Sequence, residues 1–256
     1  MNKAINKRTD FMTNFLTARW ENLIMVNYEI SPEILKPWIP AGVSLDYYNG
    51  KTYVSLVGFM FVRTKLFSVP VPGMGTFEEI NLRFYVTRKE GDQIKRGVVF
   101  INETVPHKAV AWLANKLYKE RYKAIPTKHH WQTGQVKQIE YHWKPGNDWN
   151  YMKVNAAAEA STLQVGSKEE FILEHYYGYT RVSPTISEEY KVEHPRWKIN
   201  KVDNAEINCD FETMYGKEFS HLSLSQPSSI MLAEGSAIAV KWKRRRLDLF
   251  TNTTSR

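Results

Sequence analysis

Residues 79–85 constrain the fold most strongly, because polar and apolar residues alternate along them. Successive side chains of a β-strand point to opposite faces of the sheet. One face of this strand is polar and the other is wholly apolar. The polar side chains are those of Glu79, Asn81, Arg83 and Tyr85, and the apolar ones are those of Ile80, Leu82, Phe84 and Val86. The pattern therefore predicts a strand with two different faces.

Two interpretations of the polar face are open at this point. An antiparallel sheet often packs one face on the core and exposes the other to solvent, and the periodicity alone favours that arrangement. If the strand belongs to a barrel, its polar face can instead line the interior. A carboxylate, an amide, a guanidinium and a phenol would then surround a bound molecule, with Arg83 as a bidentate partner for a carboxylate.

The rest of the chain predicts a mainly β, or β-rich α+β, protein with a few helices. Aromatic residues make up 13% of the sequence, which favours pleated, half-buried surfaces over helical bundles. The predicted strands are 23–30, 52–62, 77–87, 97–102, 135–143, 151–159 and 236–243, with an Asn49-Gly50 hairpin turn before the second. The predicted helices are 31–38, 106–122 and one that a capping box opens at Ser167 and that carries Phe171, Ile172 and Tyr176. The strands are expected to pair antiparallel.

Composition and length predict one folded domain over residues 1–256. Hydrophobic residues make up 43% and charged residues 24%, as in ordinary globular proteins. No Gly/Ser-rich or Pro-rich stretch divides the chain into two parts. The single Cys209 cannot form an internal disulfide, and residues 1–19 contain no apolar region of a signal peptide. Because no stretch approaches the ~18 apolar residues of a membrane span, we expect a cytoplasmic protein without a membrane partner.

The net charge of +8 is partly concentrated in a basic run near the C-terminus. The run consists of Lys241, Lys243, Arg244, Arg245 and Arg246. A solvated strand end explains it most simply, and the pattern argues against a nucleic-acid partner, since no reader motif or further basic cluster with exposed aromatics accompanies it. An interaction protein that uses this basic surface stays an alternative. The sequence does not determine the oligomeric state.

No cofactor and no metal are predicted. The histidines include His129, His130 and His142, but their spacing matches no recognised zinc site. Gly73 and Gly75 do not continue into a dinucleotide-binding motif, and the chain contains no phosphate-binding loop.

Five ordered segments stand out along the chain: 28–46 (YEISPEILKPWIPAGVSLD), 53–59 (YVSLVGF), 77–86 (FEEINLRFYV), 171–176 (FILEHY) and 194–197 (HPRW). Together they resemble the YqjF-like family of uncharacterised bacterial proteins. The resemblance extends over about residues 15–245, which would form the core of the domain between short tails. That family is in turn more distantly similar to acetoacetate decarboxylase. The resemblance implies a single-domain, antiparallel, barrel-like fold with its site inside the barrel and with Glu79 near the position of an active-site glutamate.

The same resemblance implies where a catalytic lysine would stand. Acetoacetate decarboxylase forms a Schiff base through one lysine of a Lys-Lys doublet near the end of a helix, and an adjacent lysine and desolvation lower the pKa of the nucleophile. The corresponding region here, 106–122 followed by Lys123, has no doublet. Tyr122 falls at the nucleophile and Lys123 at its neighbour, although a shift of one residue would bring Lys123 into the pocket. Arg19 is implied as a further pocket cation.

The sequence thus predicts a small-molecule-binding protein without Schiff-base decarboxylase activity. The expected ligand is a small polar compound with a carboxylate or carbonyl group. The predicted contacts are Glu79, Asn81, Arg83, Tyr85, Tyr122 and Arg19. The second hypothesis is an active enzyme, a decarboxylase or related lyase, with Lys123 as imine-forming amine or Glu79 as general acid or base.

Overall fold

The computed structural model describes residues 14–249, and within them fifteen strands form one hydrogen-bonded sheet. The strands are β1 (Asn14–Ile30), β2 (Ser44–Leu45), β3 (Thr52–Leu66), β4 (Val69–Pro70), β5 (Phe77–Glu90), β6 (Gln93–Val105), β7 (Tyr122–Ala124), β8 (Thr127–Gln132), β9 (Val136–Trp143), β10 (Asn150–Thr162), β11 (Tyr177–Ser183), β12 (Ile186–Glu193), β13 (Lys198–Asn208), β14 (Ser229–Lys241) and β15 (Arg245–Asp248). The helices are α1 (Pro32–Leu35), α2 (Lys108–Tyr118), α3 (Lys168–Leu173) and α4 (Phe211–Tyr215), with 3₁₀ turns at Lys36–Trp38 and Lys217–Ser223. The predicted β-rich class is confirmed.

The sheet curls until two of its strands meet again. Its order is β15-β12-β11-β6-β5-β3-β1-β14-β13-β10-β9-β8, and β12 also pairs with β14. That extra pairing joins Val192 to Val240 and Glu193 to Ala239. Most neighbours are antiparallel, and β6 pairs in parallel with β7 and β11. The barrel-like architecture implied by the resemblance is therefore confirmed.

A bulge in β1 contributes to this curvature. The pairing of β1 with β3 shifts register between Glu21 and Ile24, where Asn22 has a positive φ of 52°. Bulges bend a strand and increase its twist. Gly235 of β14 lies opposite Glu21 with a φ of 77°, and a Cβ there would meet the Trp20 carbonyl oxygen. Only glycine fits so close to the bend.

The strands β8, β9 and β10 form a second layer over the outer face of the barrel-like part. The core between the layers includes Leu82 of β5 with Tyr141 and Met152 from the second layer. The layers approach so closely that a Cβ at Gly58 would lie 2.8 Å from the Met152 sulfur. The apolar face of β5 is thereby covered by protein.

The polar face of β5 is buried as well. Glu79 is 3% exposed and Arg83 is 8% exposed. The solvent-facing arrangement that the periodicity favoured is therefore wrong, because the sheet curls around this face. Alternation within one strand shows that its two faces differ but not which of them meets water.

Several predicted element boundaries also need correction. Two serine caps are confirmed: the Ser31 hydroxyl accepts a hydrogen bond from the Glu33 backbone N–H, and Ser167 accepts one from that of Glu170. The helix after Ser167 ends at Leu173, so Tyr176 lies outside it.

The helix predicted at 106–122 spans only Lys108–Tyr118. It ends because Lys119 adopts a left-handed conformation, with a φ of 56°. Tyr122 then begins the short strand β7. The first strand, predicted at 23–30, begins at Asn14. None of the helices within residues 14–249 is long and apolar enough to cross a membrane.

Candidate functional site

A cavity of about 230 Å³ lies inside the curled sheet. The strands β3, β5 and β6 form one side of it, and α2 and the start of β7 form another. Most of its wall is apolar. The polar side chains in the wall include those of Glu79, Asn81, Arg83, Glu103, Glu120, Tyr122, His175 and Tyr190. The structure thus brings four of the predicted residues, Glu79, Asn81, Arg83 and Tyr122, to one cavity.

Glu79 accepts two hydrogen bonds in this cavity. The Asn81 amide donates to Oε1 at 3.0 Å, and the Tyr122 hydroxyl donates to Oε2 at 3.0 Å. Burial raises the pKa of the Glu79 carboxyl to about 7, although these two hydrogen bonds lower it. Nearby Glu120 raises the pKa further, and Arg83 lowers it. The carboxyl can therefore both release and accept a proton near neutral pH.

The register of β5, β6 and β7 aligns three inward-facing side chains. Asn81 pairs with Glu103, and Glu103 pairs with Tyr122. Asn115 of α2 fixes Tyr122 from behind: its Oδ1 accepts from the Tyr122 backbone N–H at 2.7 Å, and its Nδ2 donates to the Tyr122 carbonyl at 2.9 Å. Tyr122 is thus held by a helix, a strand and the hydrogen bond to Glu79.

Two further carboxyl groups share the environment of Glu79. Burial, and then the charges of Glu120 and Glu79, raise the pKa of Glu103 well above its usual value. Burial raises the pKa of Glu120 to about 7, while hydrogen bonds from Thr180 (2.7 Å) and Tyr190 (2.9 Å) lower it. Like charges at short range disfavour simultaneous ionisation. The cluster therefore retains protons that isolated carboxyls would have lost.

Arg83 contributes a buried cation to the cavity wall. Within residues 14–249 its guanidinium forms no ion pair, and its buried Nε has no hydrogen-bond partner. The guanidinium lies 6.0 Å from the centre of the Tyr85 ring. Burying a charge without a partner is unfavourable. Arg83 is therefore suited to hold an anionic group that enters the cavity.

Tyr85, the last polar residue of this face, does not line the cavity. Its hydroxyl lies 2.5 Å from the Ser55 hydroxyl, which donates to Asn27 at 2.5 Å. Tyr85 is buried and packs against His175, with ring centres 4.7 Å apart. It supports the wall behind Arg83 rather than facing the interior.

Arg19 and Lys123 also lie away from the cavity. Arg19 is about half exposed and forms an ion pair with Glu21 at 2.9 Å. Lys123 follows Tyr122 in β7, so it points to the opposite side of the strand. Its Nζ donates to the Met214 carbonyl at 3.3 Å in a separate surface cleft. Among the described residues that line the cavity there is no lysine.

The sequence did not identify a histidine–aspartate pair at the cavity wall. The His175 Nε2 lies 3.1 Å from Asp46 Oδ2, which also accepts from Arg96 Nε at 2.8 Å. Burial lowers the pKa of His175 to about 4, so the imidazole is neutral near pH 7. The contact with Asp46 assigns the proton to Nε2 and leaves the unpartnered Nδ1 as a hydrogen-bond acceptor. Both residues lie in segments that carry the family resemblance, which was the only available signal.

The C-terminal basic run is largely paired with carboxylates. Lys241 contacts Glu193 at 2.8 Å, and Arg244 contacts Glu188 at 3.1 Å. Arg245 forms an ion pair with Glu90. These contacts leave less free positive charge on this surface than the sequence suggested. No group of three or more potential metal-ligating side chains occurs in the described part of the chain.

The chain is similar to known proteins over most of its length. The model of the family DUF2071, described as an uncharacterized conserved protein (COG2071), matches residues 17–237. The chain is 26% identical over 198 residues to the uncharacterized protein YqjF of Bacillus subtilis, covering 76% of this chain and 78% of that protein.

Several solved structures share the fold of this chain at lower sequence identity. An acetoacetate decarboxylase-like enzyme from Sphingomonas wittichii superposes with a TM-score of 0.62 at 11% identity, covering 93% of this chain and 95% of that chain. The enduracididine biosynthesis enzyme MppR, solved in complex with pyruvate, gives a TM-score of 0.62 at 9% identity over 93% of this chain and 92% of that chain. An acetoacetate decarboxylase from Legionella pneumophila gives 0.54 at 12% identity over 88% and 84%. At these identities the likeness is one of fold.

Proposed function

The chain belongs to the DUF2071 family of uncharacterized conserved proteins, and from this premise we propose that it binds a small carboxylate or carbonyl compound in the cavity beside Glu79. The binding needs no lysine adduct. Arg83 holds the carboxylate of the ligand, and Glu79 with Tyr122 contacts its carbonyl end. The relative in Bacillus subtilis is itself uncharacterized, so it supplies no ligand for comparison.

The buried, unpaired guanidinium of Arg83 carries the proposal. An arginine fork matches a carboxylate geometrically through two parallel hydrogen bonds. Within residues 14–249 no carboxylate forms an ion pair with the Arg83 guanidinium. The carboxyls of Glu79, Glu103 and Glu120 in the same cavity wall accept hydrogen bonds from other groups or retain protons. A ligand carboxylate would satisfy the guanidinium and remove the cost of its burial.

The fold neighbours support the same class of ligand. MppR has been solved in complex with pyruvate, which carries a carboxylate next to a carbonyl group. Its likeness to this chain is too distant to transfer the ligand by itself. The chemistry of Arg83, Glu79 and Tyr122 leads independently to the same class.

Titration with pyruvate tests the proposal. Calorimetry should detect binding to the native protein and a loss of at least about tenfold in affinity with Arg83→Met, since a hydrogen bond between charged groups contributes roughly 1.5–3 kcal/mol. Arg19→Met removes an exposed arginine outside the cavity and is the matched control, which should bind as the native protein does. Equal binding by the Arg83→Met variant would refute the proposal.

Absence of imine chemistry is the second part of the proposal. Tyr122 faces Glu79 where the resemblance implied a nucleophilic lysine, and Lys123 lies in another cleft. Borohydride treatment in the presence of pyruvate should therefore leave the mass of the protein unchanged. A stable adduct of one pyruvate on Lys123 would overturn this part.

Proton transfer at Glu79 is a second candidate function, because the pKa of its carboxyl lies at about 7. The ionised carboxyl would take a proton from the methyl carbon of pyruvate. The C–H electron pair would form the C=C bond of an enolate, whose oxygen would accept a hydrogen bond from Tyr122. Return of a deuteron in heavy water should replace the methyl protons, as followed by NMR, and Glu79→Gln should abolish the exchange. Equal exchange by both proteins would remove this candidate.

A further inference from the structure

Polarity changes in order along the inner face of β5. From Arg83 towards the start of the strand, the side chains facing the cavity are a guanidinium, an amide, a carboxyl and the ring of Phe77. Four residues, about 13 Å of strand, separate the backbone positions of Arg83 and Glu79. The Arg83 guanidinium is close enough to the Glu79 carboxyl for its charge to lower the pKa of that carboxyl. A sufficiently long molecule held at Arg83 can therefore extend along this face past Glu79 to the aromatic rings of the same cavity.

Four aromatic side chains line the cavity beyond Glu79, and we refer to Trp20, Phe59, Phe61 and Phe77 as the aromatic box. Phe59 lies directly opposite Glu79 in the pairing of β3 with β5, and Phe61 lies opposite Phe77. Phe61 and Phe77 stack with ring centres 4.9 Å apart. Trp20 meets Phe59 at 5.1 Å and Phe61 at 5.8 Å, both edge to face.

The aromatic box has a chemical preference. Its walls are rings, and none of its members carries a charge. A flat apolar group placed there gains from burial and from ring-to-ring contacts at these separations. A small acid such as pyruvate would not cover these rings, and water beside them would meet few hydrogen-bond partners.

We propose that the ligand is an amphipathic carboxylate with an aromatic substituent. Its carboxylate binds Arg83, its central carbons lie beside Glu79 and Tyr122, and its ring packs against the aromatic box from the cavity side. This inference rests on the proposed function and adds the class of substituent that the site selects. It assigns specificity to residues on β1, β3 and β5 that the periodicity of β5 alone did not indicate.

Phenylpyruvate and pyruvate form a matched pair of probes, because they differ by a phenyl group. Calorimetry on the native protein should give at least about tenfold tighter binding of phenylpyruvate, from the apolar surface that the phenyl group buries. Phe61→Leu should weaken the binding of phenylpyruvate more than that of pyruvate and so reduce the ratio of the two affinities. Phe67→Leu is the control: Phe67 is 51% exposed and does not line the cavity.

The outcomes separate the two proposals. Pyruvate binding as tight as that of phenylpyruvate would overturn the aromatic substituent and leave the carboxylate site intact. A phenyl preference that persists fully in Phe61→Leu would place the ring elsewhere and overturn the inference too. If neither acid binds, the proposed function fails and this inference fails with it. The comparison of the two acids on the native protein needs no variant, so a misfolded Phe61→Leu protein would not block the test.

Discussion

The two faces of β5 are both buried, but only one of them is packed. Leu82 and its apolar neighbours fill the space against the second layer, where Gly58 and Met152 leave no room for an extra methyl group. On the other face, Glu79 and Arg83 border a cavity and keep unusual protonation or an unpaired charge. One strand therefore separates a closely packed region from one in which buried charged and protonated groups cost stability.

Truncation on the packed face should have the largest effect. Leu82 is fully buried between the layers. Leu82→Ala should lower the free energy of unfolding by roughly 2–5 kcal/mol, because it removes apolar contacts and leaves a void. Urea denaturation measures this. A loss below about 1 kcal/mol would mean that the two layers pack loosely and that the contrast between the faces is false.

The buried carboxyl groups on the cavity face of β5 and its neighbours should make the free energy of unfolding depend on pH. The pKa of Glu79 rises from 4.5 to about 7 on folding, so the folded protein holds a proton that the unfolded chain has released. Stability should therefore fall as the pH rises from about 5 to about 8, by up to about 3 kcal/mol from this group. Glu103 and Glu120, whose pKa values are also raised, add to the same trend.

Glu79→Gln should flatten this dependence in urea denaturation at the two pH values. The control is Glu170→Gln, because hydrogen bonds from Gly166 and Arg196 lower the pKa of Glu170 and place its titration below this window. An unchanged slope in Glu79→Gln would show that the Glu79 carboxyl is ionised throughout the range.

Removal of the unpaired cation should stabilise the ligand-free protein. Arg83→Met replaces a buried charge with an apolar chain and should raise the free energy of unfolding by about 1 kcal/mol. Arg88 is the matched comparison, since it is equally buried but pairs with Glu189 at 3.0 Å. Arg88→Met should destabilise, because it removes one of the two ion pairs of the buried Glu189 carboxylate, the other being with Lys95. Thermal denaturation of both variants measures whether each substitution raises or lowers stability. A destabilised Arg83→Met protein would indicate a partner for this arginine.

The smallest effect is expected at Lys123. Its side chain is exposed and lies across β7 from the cavity, so Lys123→Met should change the free energy of unfolding by less than about 0.5 kcal/mol. Pyruvate affinity measured by calorimetry should be unchanged. A weakened affinity would place this residue in communication with the cavity and undo the distinction between the two sides of β7.

Local signals were sufficient for part of the fold. The caps at Ser31 and Ser167 depend on residues within three positions along the chain, and the sequence displays them directly. The Asn49-Gly50 turn is also local, with positive φ at both residues between the paired Tyr48 and Lys51. Interactions of this range need no knowledge of the tertiary structure.

The site depends on contacts that no local pattern encodes. Asp46 and His175 are separated by 129 positions along the chain, and Glu79 meets Tyr122 across 43. Glu103 lies in an ordinary-looking strand and becomes unusual only beside Glu79 and Glu120. The family resemblance led to Glu79, whereas the roles of Arg19 and Tyr85 depended on the curvature of the sheet.

A single side chain in β7 determines which chemistry the cavity can be engineered to perform. Tyr122 is held by Asn115 and hydrogen-bonded to a carboxyl group, in a cavity whose wall is mostly apolar. For an amine installed there by Tyr122→Lys, loss of hydration would lower the pKa, whereas an ionised Glu79 carboxylate would raise it. The residue at position 122 thus separates a phenol donor from an amine that is nucleophilic only while Glu79 retains its proton.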